Sequence, residues 1–541
     1  MKTTVLLLLG SVISVTAFSQ TSAPAAPTLT AGAEFKGLRL DWDTVPGATW
    51  YQLEYRAHQT GAFVQTGDDF PATATSTHFS FPLHLYDWTY ARYRLAACNA
   101  AGCTRSEEVS VSDLRRDAVG YFKASQSKEH ALLGREVDLS SNGYNLVATA
   151  PGEVTSDGFT ADGGAVYLWQ RRSNGTWFQR ARLQALDHHV SGMGLPLTEA
   201  RLTVATSGTG NTVAVGMPSY HRDTGDGSEG EVDIFRFTGG AWTRTRLPHG
   251  PAAHTGQSVA LSEDGYTLMV GTNGPNGGFE VFRNSSGVWR YLRSWSRPVS
   301  GFTENCTFTR LSRDFSTVAD ICTEPVSATR PAREYVRVFS GANWSVRTDI
   351  DLNFPATGPF PPPGTHYDHS ALALDRTGDT VAVQFGQPFF VNASELGEVQ
   401  VFKRAGAAYT YVTTMAPGWW HGDFQEYFGN AIAFSGDGRT LAIGDITDSG
   451  IGSGPTAPPL DSEGIPSGAA YIYRLTDRWR LMNIVKPNVS SLANEFGKAV
   501  VLSETGKTLV IAADDEDSAA NGIGGDWANT DRTDSGALFM Y

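Results

Sequence analysis

The chain is 541 residues long and carries 56 acidic against 42 basic side chains, a net charge of −14. That balance argues against a nucleic-acid duplex or an anionic membrane as partner, since both reward clustered Lys and Arg. The length exceeds what one small core needs and predicts two or three domains.

Residues 1–19 read as a secretion signal. Lys2 supplies the positive start, residues 5–18 the apolar core, and Ala17-Phe18-Ser19 a small-x-small cleavage site before Gln20. The apolar run is short for a bilayer, a polar stretch follows it, and no later segment reaches spanning length. The expectation is an exported protein (secreted, periplasmic or at the cell surface) with no membrane insertion.

Residues 26–113 alternate apolar and polar positions in short runs broken by turns. Leu38-Arg-Leu-Asp-Trp42, Trp50-Tyr-Gln-Leu-Glu-Tyr55 and Tyr93-Arg-Leu-Ala-Ala97 are the clearest. Period-2 patterning at this spacing predicts an antiparallel sandwich. Cys98 and Cys103 flank Asn99-Ala-Ala-Gly102, a separation suited to a bridge across a hairpin. Trp42, the Tyr51-x-Leu53-x-Tyr55 strand and the segment 93–102 resemble a fibronectin type III domain, which implies a spacer or binding module and no chemistry. Residues 113–117 read as the linker.

From 119 to 541 the chain repeats itself, which outranks any local motif. An apolar strand ends in a tight turn anchored at Ser140, Ser207, Ser262, Ser312, Asp375, Ser435 and Ser503. These anchors recur roughly every 50–70 residues. A buried strand follows each turn, as in Thr440-Leu-Ala-Ile443 and Thr508-Leu-Val-Ile511. A third begins after a small residue, as in Gly397-Glu-Val-Gln-Val-Phe402. A fourth opens on Trp177, Trp242, Trp289, Trp344, Tyr409 or Trp479. Each unit is therefore a four-stranded meander of the kind that forms a propeller blade. Seven third strands are present, but only six fourth strands follow them. The strand Val119-Gly-Tyr-Phe-Lys-Ala124, left over at the start, is expected to complete the last sheet and close the ring. The fold class predicted is all-β: a fibronectin type III-like sandwich followed by a seven-bladed β-propeller closed by an N-terminal strand.

Cys306 and Cys322 fall at equivalent places on two neighbouring strands. Of the three connectivities open to four cysteines, this reading selects 98–103 and 306–322. Bridges suit an oxidising compartment, and closing the second loop stabilises by roughly 3 kcal/mol in the chain-entropy picture. Zinc is disfavoured, because neither a CxxC pair nor a His partner is present.

Phe428-Gly429 and Phe496-Gly497 before first strands, Ala150-Pro151 and Gly216-Met-Pro218 after second strands, and the stretch 521–536 resemble the FG-GAP repeats of integrin-α-like propellers. The resemblance implies a seven-bladed ring used for adhesion or ligand binding. Family-type calcium cages need an Asp-x-Asp-x-Asp-Gly ladder in the first turn. Here those turns read Ser140-Ser-Asn-Gly143, Ser435-Gly-Asp-Gly438 and the like, and one carboxylate cannot supply six or more oxygens. No cofactor is expected, with Ca²⁺ left open at the acidic run 514–517 alone.

In an up-and-down meander the tight turns share one end and the long connections share the other. Long loops on a rigid scaffold are where function concentrates. The ligand-binding candidates there are Trp419, Trp420, His421 and Asp423, with Trp527, since adjacent aromatics can stack on a sugar or anchor a partner side chain. Asp514, Asp515 and Asp517 are the metal candidates; the alternative is a solvated acidic loop. Gly225-Asp-Gly-Ser-Glu-Gly230 fits GxGxxG but precedes a strand and opens no helix. His188-His189 and His366-Tyr-Asp-His369 show no third ligand, and HExxH, GxSxG and RGD are absent. The function expected is non-catalytic binding of an extracellular protein or polysaccharide. The alternatives are a glycan-specific lectin, and behind it a propeller hydrolase or lyase.

Overall fold

A computed structural model describes residues 22–85, 90–153, 164–184, 202–218, 230–247, 255–272, 278–296, 305–324, 333–352, 371–385, 397–417, 427–450, 452–455, 466–488 and 494–541. The chain forms two compact units. One comprises Met1–Glu34, Leu38–Phe79 and Trp88–Leu114; the other comprises Phe35–Gly37, Ser80–Asp87 and Arg115–Tyr541.

The smaller unit is all-β. Strands Leu29–Glu34, Gly37–Trp42 and Ser76–Ser80 make one antiparallel sheet, and a second is built on Trp50–Arg56 and Arg92–Asn99. The alternation in the sequence is the cause. Leu38, Leu40 and Trp42 from one sheet and Tyr51, Leu53, Tyr93 and Leu95 from the other are buried, and the Trp42 and Tyr51 rings meet at 5.9 Å. Cys98 and Cys103 stand directly opposite on the hairpin Arg92–Asn99/Gly102–Arg105 and are bridged.

The larger unit contains seven four-stranded antiparallel sheets among the described residues. The first is Val137–Leu139, Asn145–Ala150, Ala165–Arg171 and Trp177–Gln184 in simple meander order. Five more follow within 203–246, 258–296, 305–351, 372–415 and 431–485. The last takes Val500–Leu502, Leu509–Ala513 and Ala537–Met540 from the C-terminus and Gly120–Phe122 from the start of the unit. Gly120 pairs with Met540, Tyr121 with Phe539 and Phe122 with Leu538. Each sheet's first strand adjoins the next one's, and Val500–Leu502 returns to Val137–Leu139, so the circle closes around a central channel. Cys306 and Cys322 face each other across the first two strands of the fourth sheet and are bridged.

The core lies between sheets. One cluster joins Leu146, Tyr167 and Trp169 of the first sheet to Val510, Leu538 and Met540 of the last, and the others likewise draw on successive sheets. The Phe-Gly pairs fit this boundary. Phe428 and Phe496 are fully buried, against Tyr471 and Phe539 respectively. Gly497 has φ +102°, and a Cβ there would lie 2.4 Å from the Ala469 carbonyl of the preceding sheet. A side chain would thus push two sheets apart as well as strain the backbone.

The anchor residues of the tight turns act through hydrogen bonds. Ser435 Oγ donates to Asp437 Oδ1 at 2.6 Å and accepts the Thr440 N–H at 2.9 Å. Ser140, Ser262 and Ser312 make the same pair of contacts, and Asp375 substitutes by accepting the Asp379 N–H. Asp264, Asp314 and Asp437 also accept the N–H two residues on. These carboxylates therefore serve the turn, as Asx geometry predicts. Neighbouring turns are also tied together. Glu504 N donates to Ser141 O, Gly436 N to Glu504 O, Arg376 N to Gly436 O, Asp314 N to Arg376 O and Gly208 N to Glu263 O.

One aromatic departs from the repeat. Trp344 sits in a one-turn helix, Ala342–Trp344, and the fourth strand of that sheet starts only at Val346. Its indole N–H donates to the Phe315 carbonyl, and the ring meets Phe279 edge-on at 5.5 Å. Docking onto the preceding sheet outcompetes strand pairing at this position.

Two consequences are measurable. Gly497→Ala should destabilise the larger unit by about 2 kcal/mol or more, given the clash and the positive φ, seen as a lower denaturation midpoint. Removing 120–124 should unfold the ring at a lower temperature than the intact chain by calorimetry. An unchanged midpoint would show that this strand does not close the ring.

Candidate functional site

The two ends of the ring differ. At the tight-turn end the inter-turn hydrogen bonds draw the sheets together, and side chains bridge what remains. Ser141 Oγ donates to Glu263 Oε1 at 2.6 Å, and Arg376 Nη1 to Glu504 Oε1 at 3.1 Å. Arg313 reaches across the channel, its Nη2 donating to the carbonyls of Leu139 at 3.0 Å and Leu502 at 3.4 Å. The channel holds about 690 Å³ and is lined by the first strands of all seven sheets. The opposite end carries the connections from second to third strands and from sheet to sheet.

The longest described connection at that end runs 514–535, and it folds back on the closing strand. Lys123 N donates to Gly522 O, Gly522 N to Ala124 O and Gly524 N to Tyr121 O. Glu516 is buried, accepting from Lys123 Nζ at 2.6 Å and from Tyr121 Oη at 2.8 Å, while Lys123 also donates to Ser535 Oγ at 2.7 Å. Burial lowers the Lys123 ammonium from its ordinary value, and the Glu516 carboxylate opposes that shift.

The same device recurs in two other sheets. Each acid stands three residues past the end of a second strand: Glu153 after Ala150, Asp448 after Asp445 and Glu516 after Ala513. Tyr167 Oη donates to Glu153 Oε2 at 2.6 Å, and Arg182 pairs with the other oxygen at 2.8 Å. Asp448 accepts from Tyr471 Oη and from the buried Lys486 ammonium. Sequence reasoning missed these three acids as a set; the fixed offset from the strand end was the available signal. They hold the connections down through buried, charge-assisted hydrogen bonds.

The metal candidates separate. Asp514 and Asp515 come together with Glu495, their ligand oxygens lying within 4.8 Å of one another. Asp517 stands apart from this group: its Oδ1 accepts the Asp534 N–H and its carbonyl the Arg532 N–H. The trio is already neutralised in part, because Arg135 donates to Asp514 Oδ2 at 2.9 Å and Lys498 to Glu495. Asp514 Oδ1 is buried without a hydrogen-bond partner. Burial, reinforced by Asp514, Glu495 and Asp534, pushes the Asp515 carboxyl up to about 7.

Trp527 is half-buried beside a crevice of about 20 Å³ lined by Asn488, Asn494, Glu516 and Asn529. That space suits a water molecule and is far too small for a sugar ring. Trp419, Trp420, His421 and Asp423 lie outside the described residues, as do His188, His189, His366, His369 and most of 225–230.

No protein-family model and no curated protein matches the chain. Similar solved structures include the Cps50 (Swd1) β-propeller domain of Myceliophteria thermophila, at 9% identity and TM-score 0.40, covering 78% of this chain and 99% of that one. The RRP9 WD40 repeats give 10%, 0.40, 78% and 99%. The periplasmic gluconolactonase PpgL of Pseudomonas aeruginosa gives 15%, 0.39, 69% and 90%.

Two substitutions check the charge assignments. Lys123→Met should destabilise by about 3–5 kcal/mol by stranding the Glu516 carboxylate, and Lys123→Met with Glu516→Leu should recover most of the loss. Denaturant unfolding of both variants decides it. Asp515 is protonated more readily in the folded than in the unfolded chain. Its contribution is therefore complete below pH 4 and lost as pH rises to about 7. Asp515→Asn should gain stability over the parent as pH climbs from 4 to 7, with the gap constant above. A gap that does not vary with pH would refute the assignment.

Proposed function

We propose that the protein is exported and non-catalytic, and that it binds an extracellular protein or glycan through the long-connection end of a seven-bladed propeller of FG-GAP type. The smaller unit serves as a fibronectin type III-like spacer. The observation carrying this reading is the asymmetry of the ring. The tight turns are tied to one another by inter-turn hydrogen bonds and by Arg313, while the connections with length to spare sit at the other end. A rigid scaffold presenting long loops on one face is the general geometry of a recognition surface. The two disulfides suit an oxidising compartment, and no helix among the described residues is long and apolar enough to cross a membrane.

Trp419 and Trp420 remain the proposed contacts, with a glycan as the more specific alternative to a protein partner. Adjacent tryptophans offer stacking faces that every pyranose can use. On a glycan array the intact protein should bind a defined subset of sugars. Trp419→Ala and Trp420→Ala should each weaken that binding at least tenfold with an unchanged unfolding midpoint. A blank array with retained capture of a protein partner favours the protein reading. Unchanged sugar binding in both variants removes these residues from the site.

A further inference from the structure

We infer that the central channel takes a small carboxylate, with the Arg313 guanidinium as its seat. The claim goes beyond the loop-face reading and does not depend on Trp419 or Trp420. Three observations carry it together. The channel is large: about 690 Å³ exceeds the volume of a monosaccharide acid. Near its tight-turn end, Ser141–Glu263, Arg376–Glu504 and the two Arg313 bonds tie the sheets together across the ring.

The third observation is the use made of Arg313. Both of its hydrogen bonds come from Nη2, so among the described residues the Nε–H and Nη1–H donors have no acceptor. A guanidinium has five donors in a rigid fork that matches a carboxylate bidentately. Here one limb of the fork is spent fixing the side chain to the adjoining first and last sheets, across the channel from its own. The remaining donors are left on a group already immobilised, so a ligand would lose little entropy in ordering it.

One carboxylate already faces this seat. Asp138 lines the same channel; burial raises its pKa and the Arg313 charge opposes that shift, while its oxygens accept the Thr206 N–H at 2.8 Å and the Leu139 N–H at 2.9 Å. Glu263 is tied to Ser141. At the opposite rim, Arg135 and Lys498 also line the channel, and their partners Asp514 and Glu495 balance them. The rest of the wall includes alanines such as Ala260, Ala371, Ala373, Ala433 and Ala499, which leave room, together with Glu136, Arg310 and the polar side chains of Thr203, Thr206, Ser258 and Asn430.

The test uses the full chain, titrated calorimetrically with D-glucuronate and, separately, with D-glucose. Glucuronate should bind and glucose should bind at least tenfold more weakly, since only the former carries the carboxylate. Arg313→Gln should lose at least tenfold in glucuronate affinity. Arg313→Lys, which keeps the charge but lacks the fork, should lose less and remain measurable even if the glutamine variant folds poorly. Arg480→Gln, an exposed cation on an outer strand paired with Asp477, should bind as the parent does. Equal binding of both sugars, no glucuronate binding by the intact protein, or parent-like affinity in both Arg313 variants would each overturn the assignment. None of these outcomes touches the loop-face reading, which the glycan array tests by itself.

Discussion

Ring closure by a strand borrowed from the far end of the unit is the constraint on which everything else in the larger unit rests. Without it the last meander would hold three strands, with Ala537–Met540 as an open outer edge offering unsatisfied backbone groups. Pairing Gly120–Phe122 with Ala537–Met540 covers that edge and ties the two ends of the unit together. It also fixes the curvature, because the first strands must then complete a circle at constant spacing. The inter-sheet clusters, the Gly497 contact and the central channel are consequences of that closure. None of them exists in an open array.

The closing strand is held by more than its ladder. The connection 514–535 lies over it, pairs with it through Gly522 and Gly524, and places Glu516 against Lys123 in a buried site. A buried ion pair is poor evidence for stability, since desolvation cancels much of the attraction. Its stronger effect is on register. A shift of one residue in the closing strand would turn Lys123 to the other face and leave two buried charges unpaired. The Glu153 and Asp448 sites apply the same logic to connections in the first and sixth sheets. Carboxylates thus do locally at this end what serines do at the other.

Much of this architecture was legible in the chain because repetition magnifies weak signals. One Ser-Gly-Asp-Gly turn means little, but seven anchors at a regular interval before Thr-x-Ala-like strands specify a meander each time. The surplus of third strands over fourth strands exposed the borrowed strand. Both disulfides were legible for the same reason: register places Cys306 opposite Cys322. Trp344 was misread as a strand opener, because a local aromatic signal cannot reveal that the ring docks on Phe279 and on the Phe315 carbonyl. The acidic loop was legible only in part. Asp514 and Asp515 do meet, but the third acid of their group is Glu495 from an earlier connection, and the neighbouring Glu516 is paired with a lysine distant in sequence. Such pairings depend on three-dimensional closure, so no window of sequence contains them.

The channel shows how a structural demand can leave a chemical opportunity. The inter-turn hydrogen bonds satisfy backbone groups at the tight-turn end. Arg313 adds to them because a guanidinium can reach carbonyls of the adjoining first and last sheets from a single turn across the channel. A lysine could reach the same carbonyls only as a point charge, with no planar fork to hold both. The choice that ties these sheets together therefore leaves donors to spare on the same group. Any propeller braced by an arginine in this way would carry an anion-seeking group in its channel, whatever its loops recognise.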